Sequence, residues 1–205
     1  GRYGLANYVS NLLWGLPAMI LPVLAVNRLS PELAGYFYIN WTLVGAVLII
    51  PKSVSLALFV DGSRNQAHVV RAAGKAIALS LGASLPLVLL LWFAGAYILR
   101  IFGKDYIDEG LLHTLLISVL PFTFASILFI VLRTQKRLTE LLVFCVLTAG
   151  VVVLAAARLL ETMGAPGIAA GWLIGYSTAT LVILPFAVFK WWGSAFDKTP
   201  GRLEP

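Results

Sequence analysis

Six long apolar runs, separated by short polar segments, set the pattern of this chain. They cover roughly Tyr8–Val26, Ala34–Val60, Ala76–Leu99, Leu111–Leu132, Leu141–Leu160 and Ile168–Phe189. Each reaches the ~20 residues a helix needs to cross a bilayer. The pattern predicts six transmembrane helices. The second run exceeds that length, so it is expected to tilt, kink or protrude, and Pro51 is the natural place for a kink. Prolines recur in five of the six runs, at Pro17, Pro22, Pro51, Pro86, Pro121 and Pro185. Membrane helices tolerate them better than soluble ones, so by themselves they say little about function.

Composition turns this pattern into a class. Of 205 residues, 60% are hydrophobic and only 12% charged, with a mean hydropathy of +0.92. A soluble domain of this size cannot hide so much apolar surface, so lipid must solvate part of it. The alternating ten-residue segments of a membrane β-barrel are missing. The fold class is therefore an all-α polytopic membrane protein. The net charge of +6 sits in short loops, where it reads as topology signal and contact with membrane lipids rather than as a nucleic-acid surface.

Basic residues also predict orientation. The N-terminus (Arg2), the second connection (Arg64, Arg71, Lys75), the fourth (Arg133, Lys136, Arg137) and the tail (Lys190, Lys198, Arg202) hold ten of them. The opposite connections hold four, Arg28, Arg100, Lys104 and Arg158. That imbalance predicts both termini in the cytoplasm. In the second connection His68, Arg71 and Lys75 recur at helical spacing, which suggests a helix lying on the inner membrane surface. The connection Arg100–Gly110 reads as a polar elbow, and Trp191-Trp192 as an interfacial anchor. Residues 1–190 are expected to form one six-helix lobe and 191–205 a cytoplasmic tail, unstructured over Thr199–Pro205. With no initiator methionine before Gly1, the chain reads as a piece of a longer protein.

Lys52, a lysine well inside an otherwise apolar run, is the main candidate for chemistry. On a helix it shares an arc of about 80° with Tyr38, Thr42 and Gly45. Asn7, Asn11, Gly15, Ala18 and Pro22 fall on a similar arc of about 80° in the first run. Two such faces side by side would line a wet cavity and present an ammonium to a phosphate or carboxylate. The alternative is snorkelling. Lys52 lies nine residues, or about 13 Å, before Asp61, and its stem can cover part of that distance towards the membrane surface. Gly167, Gly171 and Gly175, one small residue every four positions, read as a close-packing stripe. Gly175-Tyr176-Ser177 with His113 has the residue types of an intramembrane serine protease, but the two side chains are expected at different depths. Cys145 and His68 read as a core and an interfacial residue. No P-loop, dinucleotide fingerprint, zinc cluster or other cofactor pattern is present in the sequence.

Taken together, a series of short stretches resembles a known family. Leu29-Ser-Pro-Glu-Leu-Ala-Gly-Tyr-Phe-Tyr38 leads into a span with Ile50-Pro51 that ends at Phe59-Val-Asp-Gly-Ser63. Phe102-Gly-Lys-Asp-Tyr106, Pro121, Leu132-Arg-Thr-Gln-Lys-Arg137 and Gly164-Ala-Pro-Gly-Ile-Ala-Ala-Gly-Trp172 follow. Their order and spacing resemble the polysaccharide and lipid-linked oligosaccharide flippases, relatives of multidrug and toxic-compound extrusion transporters. The resemblance implies the second of two six-helix lobes, the N-terminal lobe of the same protein being its missing partner. It implies transport of a polyprenyl-pyrophosphate-linked saccharide across the cytoplasmic membrane by alternating access, for cell-surface polysaccharide assembly, with no catalytic residue and no cofactor. It makes the first two helices cavity walls, with Lys52 attracting the pyrophosphate and Asn7, Asn11 and Tyr38 offering hydrogen bonds. Three rivals stand beside it: a cation-coupled multidrug exporter of the same fold, the intramembrane serine protease and a non-transporting membrane scaffold. The exporter calls for an acid inside a span, and none of the nine acidic residues lies convincingly in one.

Overall fold

The computed structural model describes residues 2–64, 66–103 and 108–196. Every regular element among them is helical: α1 (Arg2–Arg28), α2 (Pro31–Arg64), α3 (Gln66–Arg100), α4 (Glu109–Ile117), α5 (Val119–Thr134), α6 (Leu138–Met163) and α7 (Ala165–Phe196). Six helical stretches are long and apolar enough to cross a membrane, with α4 and α5 together making the fourth. Each contains most or all of the corresponding apolar run and extends beyond it at one or both ends. Polar residues at helix ends carry no hydropathy signal but keep the helical backbone bonded.

Local chemistry explains the boundaries. Ser30 caps α2, its hydroxyl accepting from the Leu33 N–H at 3.3 Å, with Pro31 in the first helical position where its missing N–H costs nothing. Asp108 Oδ1 does the same for α4, accepting from Leu111 N–H at 2.9 Å. Gly164 ends α6 at φ 65°, a backbone setting that favours glycine. The split at Ser118 follows from Pro121. That residue offers no N–H to the Ile117 carbonyl four positions back, and its ring crowds it. The Ser118 hydroxyl turns back to the Leu115 carbonyl at 2.6 Å.

The fourth span is the centre of the bundle. Its most apolar window is 78% buried, against 50% or less for every other span. The α2–α3 hairpin packs on one flank of it and the α6–α7 hairpin on the other, while α1 runs along α6 and touches α2 only sparsely. The α6–α7 contact is the most extensive. A Cβ on Gly167, Gly171 or Gly175 would run into Leu159, Ala156 or Val152 of α6, so these three glycines let the two backbones approach. The close-packing stripe read from the sequence is therefore real.

The structure gives form to two of the segments read from the sequence. The basic stretch containing Arg71 and Lys75 forms no separate surface helix; it is the opening turns of α3, which runs unbroken from Gln66 to Arg100. Likewise, α7 continues to Phe196, so the first residues assigned to a tail are helix. Most of the Arg100–Gly110 elbow, at 104–107, and the stretch Thr199–Pro205 lie outside the described residues. Residue Cys145 is fully buried in α6, as its apolar setting predicts.

Candidate functional site

Because α1 and α2 barely touch, a pocket of about 260 Å³ opens between them, with α5 as its floor. Trp14 comes from α1, Lys52, Ser55 and Leu56 from α2, and Ser126, Phe129 and Ile130 from α5. Where α2 meets α5, the buried Ser55 Oγ has two acceptors within reach of its one proton, Ser126 Oγ of α5 at 3.1 Å and the Pro51 carbonyl at 2.6 Å.

The contact aligns α2 with α5 around Lys52. One turn from Ser55, Lys52 extends its Nζ over the Phe122 ring at 5.6 Å, and Phe122 lies one turn from Ser126 in the same direction. The ammonium therefore lies at about the level of its own turn, beside the pocket, and is not stretched along α2 towards Asp61, although the residue as a whole is exposed. A cation held within about 6 Å of an aromatic face gains ~0.5–2 kcal/mol, depending on how far it is desolvated. No carboxylate is among the residues lining the pocket.

Two of the lining residues, Trp14 and Phe129, are aromatic, and a larger aromatic cluster continues behind them. Trp14 stacks on Phe129 at 4.8 Å and on Phe144 at 5.9 Å, and meets Tyr176 edge-on at 5.5 Å. Phe122 continues the cluster to Trp172 at 5.8 Å. Trp14 thereby ties α1 to α5, α6 and α7. One turn past Ile130, at the end of the bundle where the chain begins, Arg133 donates to Asn11 Oδ1 at 3.2 Å and lies over the Phe59 ring at 4.7 Å. A second cation thus sits close to the pocket, in contact with all three helices that form it.

The residues proposed from sequence are not all brought together. Lys52 lines the pocket, and Asn11 stands at its edge through Arg133. Asn7, one turn earlier on α1, is half-buried with its Oδ1 unpartnered. Tyr38 is 61% exposed on α2 and fourteen residues, or about 21 Å, from Lys52. Tyr38 and Lys52 cannot hold the same small group. Trp14, Ser126 and Phe129 line the pocket and Arg133 stands at its edge, none of them singled out for the site by sequence reasoning. Arg133 was assigned to a connection on charge alone, although an apolar run extends unbroken to Leu132 just before it.

His113 and Ser177 are not hydrogen-bonded to each other. The His113 ring stacks on Trp92 at 4.0 Å, with Nε2 3.3 Å from the Trp92 carbonyl oxygen. Among the described residues no group of three or more histidine, cysteine or acidic side chains could hold a metal ion. No protein-family model, curated protein or solved structure matches the chain. What the fold defines is an all-helical, multi-pass membrane protein; what the site adds is a cationic, aromatic-walled pocket between its first two spans.

Proposed function

We propose that this chain is one six-helix lobe of a flippase that carries a polyprenyl-pyrophosphate-linked oligosaccharide across the cytoplasmic membrane. The observation that carries the reading is Lys52: an ammonium within a span, lining a pocket that has no carboxylate and lying over the Phe122 ring beside it. Such a charge calls for an anion. The pocket is too small for an oligosaccharide but suits the diphosphate that links sugar to lipid. In this reading the end bearing Arg133 faces the cytoplasm, where the lipid-linked substrate is made, and both termini lie on that side. Lys52 attracts the diphosphate, Arg133 and Asn11 stand at the loading edge, and a second six-helix lobe closes the open side of α1 and α2. Rocking of the two lobes then exposes the pocket to each face in turn. A cation-coupled exporter needs an acid in the cavity, and the pocket lining offers none.

The experiment is transport by the natural gene product in liposomes loaded with a fluorescent polyprenyl-diphosphate disaccharide. The expected result is at least a tenfold loss of translocation in Lys52→Met and substantial retention in Lys52→Arg. Full translocation by Lys52→Met overturns the reading.

A further inference from the structure

A second recess lies away from the Lys52 pocket, between α3 and the α4–α5 junction. Its volume is about 470 Å³, and its walls include Leu81, Leu85, Val88, Leu116 and Leu120. It opens where Ser118 and Pro121 interrupt the fourth span. Leu85, Ile117 and Leu120 on its rim are exposed, as are Leu89, Leu90 and Phe93 further along α3. The recess is therefore continuous with the apolar outer surface that a bilayer covers. The polar side chain in its lining, Ser84, is buried and its hydroxyl has no hydrogen-bond partner. Water in such a recess would find almost nothing to bond, whereas hydrocarbon restores the dispersion contacts its walls lack.

We propose that this recess is a binding site for one acyl chain of a bilayer phospholipid, held in place rather than exchanging freely with the surrounding lipid. Gly82 creates the room. It lines the recess, and a Cβ placed on it would meet nothing within 4 Å. A larger residue there would fill the space a chain occupies. Trp92 also lines the recess, and its ring is fixed by the stack with His113. Tryptophan favours the boundary between hydrocarbon and head groups, which sets the outer limit of the chain. The site does not depend on the flippase reading. It shares only the central span with the Lys52 pocket, and α2 stands between them.

The test uses the protein in liposomes of phosphatidylethanolamine and phosphatidylglycerol doped with a phosphatidylglycerol carrying a diazirine in its acyl chain. After photolysis, adducts are mapped by peptide mass spectrometry. Adducts on Val88 and Leu120 should exceed those on Leu154, an exposed lipid-facing residue of α6, by at least fivefold. Gly82→Phe should reduce them to the Leu154 level, and Leu120→Trp, which fills the recess from the opposite wall, should do the same for Val88. Equal labelling at all positions, or labelling indifferent to both variants, overturns the proposal. So does a recess that stays unlabelled while Leu154 reacts, since a protein surface then covers it. Displacement of the label by polyprenyl phosphate but not by unlabelled phosphatidylglycerol would assign the recess to an isoprenoid chain and equally overturn it.

Discussion

Arg133 and Asn11, far apart in the chain, meet through a 3.2 Å hydrogen bond from the guanidinium to the amide oxygen. The same guanidinium lies over Phe59, so one side chain joins α1, α2 and α5 at the edge of the Lys52 pocket. A hydrogen bond from a charged donor contributes about 1.5–3 kcal/mol, and less where solvent reaches it, as here. A double-mutant cycle with Arg133→Ala and Asn11→Ala should give a coupling of roughly 0.5–1 kcal/mol in thermal unfolding in detergent. Arg133→Lys should lose most of it, because an ammonium lacks the planar fork that bonds and stacks together. Additive single effects would show that the contact is incidental.

Lys52 behaves differently under substitution. An unpaired lysine in a span is a cost to the fold, roughly 2.5–3.5 kcal/mol at a helix centre facing lipid and less in a wet pocket. Lys52→Met should therefore leave the unfolding temperature unchanged or raise it. A clear fall would mean that the ammonium is structural, and any transport loss in that variant would then have another cause.

The glycines of α7 supply a contrast with Gly82. Gly171→Leu forces a side chain into the backbone of Ala156 and should cost about 1–3 kcal/mol or more, or prevent folding. Gly82→Ala meets open space and should be neutral or stabilising by up to about 1 kcal/mol, the helix propensity gain. Unfolding curves in detergent for the pair check both; similar behaviour would contradict the packing described.

Ser177 should be unreactive towards a fluorophosphonate probe, because His113, the histidine within a described span, is engaged with Trp92. Labelling that disappears in Ser177→Ala would show a base reaching the serine in some other conformation, and would revive the protease reading.

The spans were legible in sequence because twenty apolar residues in a row have few other fates in water. So was the α7 stripe, since a small residue every fourth position has one geometric use. Lys52 stood out for the opposite reason, as the residue that breaks its run. The partners of Lys52 were not legible. Phe122, Trp14 and Ser126 are unremarkable within their own helices, and only the crossing of α1, α2 and α5 puts them beside an ammonium. Tyr38 shows the limit of a helical projection. It reports the face a residue occupies and discards depth, so a residue some 21 Å away on the same stripe looks like a neighbour.

The sparse contact between α1 and α2 also determines where the bundle is compliant. On one flank α6 and α7 are locked backbone to backbone by three glycines, with α1 fastened to them through Trp14. On the other, α2 is fastened to the central span through Ser55 and Ser126. Between α1 and α2 runs a seam bridged by side chains, Arg133 at its edge and Trp14 stacked on Phe129 at its floor. Any widening of the pocket therefore has to part these side chains, Trp14 from Phe129 and Arg133 from Asn11, rather than two packed backbones.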